Sequence, residues 1–148
     1  MKILFDCNVV IDVWGKTDDF FLSYASFDTA LTKEFCPCIT ATSIITIGYV
    51  LAARKYLDKP TSRQAIGSLF DIFEILDIAP SDCRQAYESD MDDYEDAHIA
   101  YAAKRHGVDF IITRNKRDFL KSPVPALTPE EFLHIYKPDY LEYEMVDF

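Results

Sequence analysis

Three short segments carry the residues able to do chemistry. Asp6 closes the apolar run Met1-Lys2-Ile3-Leu4-Phe5. Asp92, Asp93, Glu95 and Asp96 put four acids into five positions. Ile111-Ile112-Thr113 leads into Arg114-Asn115-Lys116-Arg117-Asp118. Carboxylate and amide oxygens are the hard donors that Mg²⁺ and Mn²⁺ prefer, usually one or two carboxylates with waters and substrate phosphate. A metal held there would activate water for phosphodiester hydrolysis. Each segment also has an ordinary reading. Asp6 can cap a helix beginning near Val9. Acids open helices because capping and the macrodipole favour them. Asn115 and Asp118 can shape a turn. Yet the four crowded acids also repel one another, and a cation would relieve that. Asp96 leads into the small residues Ala97 and Ala100, which would let its helix approach a sheet closely, so Asp96 is the acid expected to point inward.

The elements that must position these residues alternate between strand and helix. Ile3–Phe5 reads as a buried strand, followed by a helix through Val9–Trp14 to Gly15. Asp18 and Asp19 start the next helix, with Phe20, Phe21, Tyr24 and Phe27 at helical spacing. Core packing is the default for that stripe, and a protein interface is its alternative. Cys38–Thr40 reads as a second strand and Thr42–Tyr56 as a buried helix. Thr61 with Gln64 suggests a capping box for a helix through about Leu76. Leu76–Ala79 is the expected third strand, and Ser81 the expected cap of a helix through Tyr87. Asp92 or Asp93 starts a helix ending at Gly107, a fitting residue just past a helix end. Val108–Thr113 is the clearest buried strand. Pro125–Leu127 is an edge strand, and Thr128-Pro129-Glu130-Glu131 a second capping box. Short apolar strands alternating with helices imply a parallel sheet covered on both faces, a three-layer α/β/α sandwich. In such sheets ligand sites lie beyond the C-terminal strand ends. Asp6, the Arg114–Asp118 loop, and Ser43 with Thr46 all fall at such ends.

The chain has 148 residues, 49 % of them hydrophobic, which suits one domain with a real core. We expect the domain over residues 1–136 and an acidic, aromatic tail over 137–148. The apolar start is interrupted by Asp6, Asn8 and Asp12 too early for a signal peptide, which implies a cytoplasmic protein. The uncharged stretch from Phe35 to Ala53 reads as a strand and helix, not a membrane span. Cys7, Cys36, Cys38 and Cys83 fit no zinc-finger spacing and read as reduced, small core residues. Net charge is −10, which argues against a general nucleic-acid binder. The balance is uneven, however. Residues 102–121 hold Lys104, Arg105, Arg114, Lys116, Arg117 and Lys121 against Asp109 and Asp118. Residues 53–63 hold Arg54, Lys55, Lys59 and Arg63 against Asp58. A basic rim beside an acidic centre suits a metal-dependent nuclease, and ordinary solvated helix ends explain it equally well. The chain lacks the glycine fingerprint of a dinucleotide-binding fold. A phosphatase using Asp6 as nucleophile would want a second Asp where Asn8 stands.

Taken in order, Phe5-Asp6-Cys7-Asn8-Val9-Val10-Ile11-Asp12, Asp93-Tyr94-Glu95-Asp96-Ala97 and Asp109-Phe110-Ile111-Ile112-Thr113-Arg114-Asn115 with Asp118-Phe119 resemble a PIN domain. The resemblance runs over nearly the whole chain. It implies a compact α/β/α nuclease, and many small bacterial members are VapC-type toxins of toxin–antitoxin pairs. It implies a Mg²⁺- or Mn²⁺-dependent ribonuclease with RNA as substrate, and an antitoxin and a homodimer as candidate partners. By position, Asp6 and Asp96 would be the primary metal ligands. Asn115 and Asp118 would complete the catalytic set, and Asp93 would be a further ligand. Asn8, Ser43, Thr46 and Thr113 would supply polar groups to the substrate, and Arg114, Lys116 and Arg117 would hold its phosphates. One departure stands out. PIN domains usually carry a Glu early in the helix after the second strand, whereas no Asp or Glu occurs from Phe35 to Leu57 here, and Thr46 or Ser43 stands in its place. The alternative is therefore a PIN-type fold that has lost catalysis and binds RNA or protein.

Overall fold

The computed structural model describes residues 1–139. Five parallel strands, β1 (Lys2–Phe5), β2 (Cys36–Thr40), β3 (Glu74–Leu76), β4 (Phe110–Ile112) and β5 (Ala126–Leu127), form one sheet in the order β3-β2-β1-β4-β5. Between them lie α1 (Cys7–Gly15), α2 (Phe20–Thr32), α3 (Ala41–Ala53), α4 (Lys59–Ile72), α5 (Pro80–Glu88) and α6 (Tyr94–Arg105), and α7 (Pro129–Tyr136) follows β5. A 3₁₀ turn covers Lys116–Phe119.

Strand side chains alternate between faces, and β1 divides two cores accordingly. Ile3 and Phe5 point to one face, with Ile39, Phe110 and Ile112, against Val9, Phe27, Ile47, Leu51, Leu69 and Phe132 of the helices. Leu4 points to the other, with Cys38, Leu76 and Ile111, against Ala86, Ala97, Ala100 and Ala103. This is the expected three-layer sandwich. The small residues of α6 are wholly buried, which brings that helix and its N-terminal acids close to the sheet.

The strand order puts β1 at the centre, with β4 beside it in the register Leu4↔Ile111 and Phe5↔Ile112. Asp6 and Thr113 therefore leave the sheet side by side. The amide of Asp6 donates to the Ile112 carbonyl at 2.9 Å, continuing the ladder by one residue.

Several boundaries differ from the sequence expectation, each for a local reason. α4 starts three residues early because Asp58, not Thr61, is its cap: Asp58 Oδ1 accepts the Thr61 amide at 2.7 Å, and Pro60 fits the first turn. β3 is Glu74–Leu76 because it pairs with β2 in the register Cys38↔Glu74. α5 is led in by Ala79, with Pro80 at its first position and Asp82 accepting the Ala79 amide at 2.8 Å. α3 is not fully buried, since Ile45 and Tyr49 are 74 % and 72 % exposed. In the aromatic stripe of α2, Phe27 enters the core edge-on to Phe5 at 5.8 Å, while Phe20 stacks on the exposed Tyr24. α6 ends as expected. Gly107 adopts φ +70°, its amide reaches the Lys104 carbonyl and the Val108 amide reaches that of Ala103. No described helix is long and apolar enough to cross a membrane. The expectation for the tail falls on residues 140–148, outside the described ones, apart from 137–139.

Candidate metal centre

Asp6 is 7 % exposed and caps α1. Its Oδ1 accepts the Cys7 amide at 2.8 Å, and its Oδ2 accepts the Thr113 hydroxyl at 2.7 Å. The capping role and a ligand role are therefore compatible, since each oxygen keeps a lone pair. Burial drives the Asp6 carboxyl above its ordinary range, the Thr113 and Cys7 bonds oppose that, and the Glu95 charge adds to it.

Asp96 stands in the first turn of α6, where Asp93 is the cap and accepts the Asp96 amide at 3.1 Å. Its carboxyl is half-buried and pushed up to about 7, first by burial and then by the charges of Asp6, Asp93, Asp118 and Glu95. Four acids from three elements thus act on one carboxylate, which is the like-charge crowding that a divalent cation relieves. No three of their oxygens close to within 4.8 Å among the described residues. That spacing suits an ion that keeps much of its water shell, as Mg²⁺ does.

Thr113 is the hub behind Asp6. It is wholly buried, and its Oγ1 also accepts the Asn115 amide at 3.0 Å and the Asn8 side-chain amide at 3.5 Å. Asn8 Oδ1 in turn accepts the Arg114 amide at 3.3 Å. Asn8 and Thr113 thus orient Asp6 and the β4 loop, and Asn115 is held at that loop's start. Thr113→Val is expected to weaken Mn²⁺ binding about tenfold, the usual cost of removing a partner behind a ligand. Calorimetric titration of the variant measures this, and an unchanged affinity would show that the hydroxyl contributes nothing to the site.

The predicted cations are mostly engaged elsewhere. Arg114 reaches Asp12 from Nε at 2.7 Å and Asp19 from Nη1 at 3.4 Å. Lys116 pairs with Glu131 at 2.9 Å. Arg105 binds Asp77 and the buried Asp82. Lys121 faces Asp92 more loosely, at 3.9 Å, and with Arg117 it lines a pocket shared with Asp118, Asp92, Met91 and Leu120. The basic stretch 53–63 follows α3, where Tyr56 lies against Gly15 at the end of α1 remote from Asp6.

Of the hydroxyls on α3, Ser43 is buried in the helix cap, bonded to Thr40 Oγ1 at 2.8 Å. Thr46 bonds back to the Thr42 carbonyl, and Thr42 Oγ1 meets His98 Nε2 of α6 at 2.9 Å. Cys7, beside Asp6, is pushed up to about 12 by burial and by the Asp6 charge, so it stays a neutral thiol. Sequence reasoning missed two participants. His98 carries no motif. Asp12 did carry a signal: an acid inside the apolar run Val9-Val10-Ile11-Asp12-Val13 needs a buried partner.

The sequence matches the PIN domain family over residues 2–117. The chain belongs to the PIN domain family. No curated protein matches it. Among solved structures, this PIN domain is similar to VapBC2 from Rickettsia felis bound to a promoter DNA fragment, at 16 % identity and a TM-score of 0.65, covering 86 % of this chain and 98 % of that one. It is similar to FitAcB from Neisseria gonorrhoeae, at 18 % identity and a TM-score of 0.64, covering 86 % and 98 %. It is also similar to a toxin–antitoxin complex from Klebsiella pneumoniae, at 22 % identity and a TM-score of 0.60, covering 86 % and 97 %. At these identities the likeness is one of fold.

Proposed function

We propose that this PIN domain is a divalent-metal-dependent ribonuclease that hydrolyses phosphodiester bonds, and that it is the toxin of a toxin–antitoxin pair. The crowding of carboxylates on the half-buried Asp96, beside the buried and oriented Asp6, carries the reading. Asp6 and Asp96 would hold Mg²⁺ or Mn²⁺, with Asp118, Asp93 and Asn115 completing the set directly or through water. The ion, when bound, would lower the pKa of a water and stabilise charge on the phosphoryl oxygens. The chain's own part is positional. Thr113 and Asn8 fix Asp6, Asp93 fixes the start of α6, and Arg117 offers charge to the RNA backbone near Asp118. The toxin reading rests on the toxin–antitoxin complexes among the structures of like fold. An antitoxin is then the expected partner, and a homodimer a further one.

The test is RNA cleavage by the purified chain with Mn²⁺, beside Asp6→Asn. Cleavage lost in EDTA and in the variant supports the proposal. Cleavage unchanged in the variant overturns the site. RNA binding with neither cleavage nor Mn²⁺ binding supports the non-catalytic reading, which Thr46 in place of an acid favours.

That substitution yields its own prediction. Thr46 shares a helix face with Thr42, which touches α6 two residues beyond Asp96. Thr46→Glu is expected to tighten Mn²⁺ binding about tenfold, because added ligand charge tunes the affinity of oxygen sites. A folded variant with unchanged affinity would exclude Thr46 from the site.

A further inference from the structure

At the opposite edge of the sheet from Asp6, three strands begin together. The register sets Lys2 beside Cys36 and Cys38 beside Glu74. The two-residue period puts all four side chains on the α5/α6 face. Spacing alone offered Cys36-Pro37-Cys38 no further ligand, but the fold brings a carboxylate from β3. Cys36 Sγ lies 3.9 Å from Cys38 Sγ, and its thiol donates to Glu74 Oε2 at 3.1 Å. Among the described residues, this is the one place where three such donor atoms fall within 4.8 Å of one another.

We propose that Cys36, Cys38 and Glu74 form a metal site for a borderline-soft divalent cation of the Zn²⁺ class, separate from the proposed nuclease centre. The dimensions fit. A tetrahedral ion with Zn–S near 2.3 Å holds two sulfurs about 3.8 Å apart. The donor chemistry also separates the two sites, because thiolates select Zn²⁺-like ions while the all-oxygen set around Asp6 suits Mg²⁺ or Mn²⁺. Three protein ligands leave a fourth position for solvent.

The local electrostatics set a proton cost that the ion must overcome. Cys38 is wholly buried, Cys36 partly so, and burial raises both thiols. An ion of charge 2+ offsets the cost of forming thiolates there. Binding releases the two thiol protons to solvent and displaces the Lys2 ammonium, which otherwise pairs with Glu74 at 3.1 Å. The site joins β2 to the three-residue edge strand β3, so the bound ion would fasten that edge.

The test is Cd²⁺ titration of the full reduced chain, followed by the thiolate-to-metal charge-transfer band in the ultraviolet, with Zn²⁺ competing. One Cd²⁺ per chain is expected, with affinity rising from pH 6 to pH 8 as proton competition falls. Cys36→Ser, at the partly exposed position, should weaken binding more than tenfold, and Glu74→Gln by about tenfold. Lys2→Met should tighten binding, a gain that a folding defect would not mimic. The band should persist in Asp6→Asn and Asp96→Asn. A band absent from the parent chain, retained in Cys36→Ser, or lost in Asp6→Asn would overturn the proposal.

Discussion

Asp96→Asn is expected to stabilise the metal-free fold above pH 7 while reducing metal-dependent RNA cleavage by more than about 100-fold, the loss already reached when groups behind a ligand are removed. The two effects have one origin. In the folded chain the Asp96 carboxyl titrates at about 7, raised by burial and by four neighbouring acids. In the unfolded chain it titrates near the ordinary Asp value. Between those two values the folded state holds a proton that the unfolded state has released, so stability falls as pH rises through that window and stays reduced above it. The full shift corresponds to about 4 kcal/mol. Solvent and salt around a half-exposed group cut this to about 1–2 kcal/mol. Losing a negative charge from the first turn of α6 returns about 0.5 kcal/mol. The net gain of about 1 kcal/mol amounts to a rise in melting temperature of about 2–4 °C at pH 8. It should vanish below about pH 3, where the parent carboxyl is protonated in both states. Adding Mn²⁺ should reverse the order, because the parent gains the ion's binding energy and the variant does not. Melting curves in EDTA and in Mn²⁺ at both pH values measure all four states. A variant less stable than its parent in EDTA at pH 8 would show that burial and like-charge crowding do not raise Asp96.

Much of this centre was legible before the fold was known, for identifiable reasons. Asp6 and Asp96 stand next to strong periodic signals, the run Ile3–Phe5 and the alanine face of α6, and such signals locate an element end well. The parallel sense of the strands followed from the alternation, whereas the pairing of β1 with β4 that sets Asp6 beside Thr113 did not. What resisted reading was pairing. Nothing local says that Arg114 turns back to Asp12 and Asp19, or that Lys116 is held by Glu131. A count of six cations in residues 102–121 therefore overstated the charge offered to RNA, since Arg105, Arg114, Lys116 and Lys121 all face acids within the chain. The cysteines show the same gap. Cys36 and Cys38 lack a partner in sequence because Glu74 arrives through β-strand register, 36 residues beyond Cys38. Caps were missed where two candidates lay close together. Asp58 displaced Thr61 because a carboxylate three residues earlier, followed by Lys59 and Pro60, accepts the amide of Thr61 itself and so starts the helix sooner.

The largest loss of stability is expected from Asp12→Ala, at about 3–5 kcal/mol. Asp12 has no solvent exposure. Its Oδ1 accepts Thr17 Oγ1 at 2.6 Å and Arg114 Nη2 at 3.2 Å, and its Oδ2 accepts Ser23 Oγ at 2.7 Å and Arg114 Nε at 2.7 Å. One carboxylate therefore ties α1, α2 and the loop after β4 together. Truncating it strands a guanidinium beside two hydroxyls that lose their acceptor, with only the longer contact to Asp19 to hold the arginine. Against a total stability of about 5–15 kcal/mol, such a loss brings the fold close to its limit. Arg114→Ala alone costs less, because water can reach a site next to a half-exposed side chain. The double variant should be more stable than the sum of the two single losses predicts, with a coupling of at least about 1.5 kcal/mol, since it leaves no unpaired cation. Asp12→Asn keeps the size and removes the charge, and should fall between parent and Asp12→Ala. Urea unfolding of the four chains gives the cycle directly. The site should follow the scaffold: Arg114 anchors the loop that carries Thr113 and Asn115, so the surviving folded fraction of Asp12→Ala should bind Mn²⁺ more weakly than its parent. A cost below about 1 kcal/mol for Asp12→Ala, or additive losses in the cycle, would mean that the buried pair does not organise this end of the sheet.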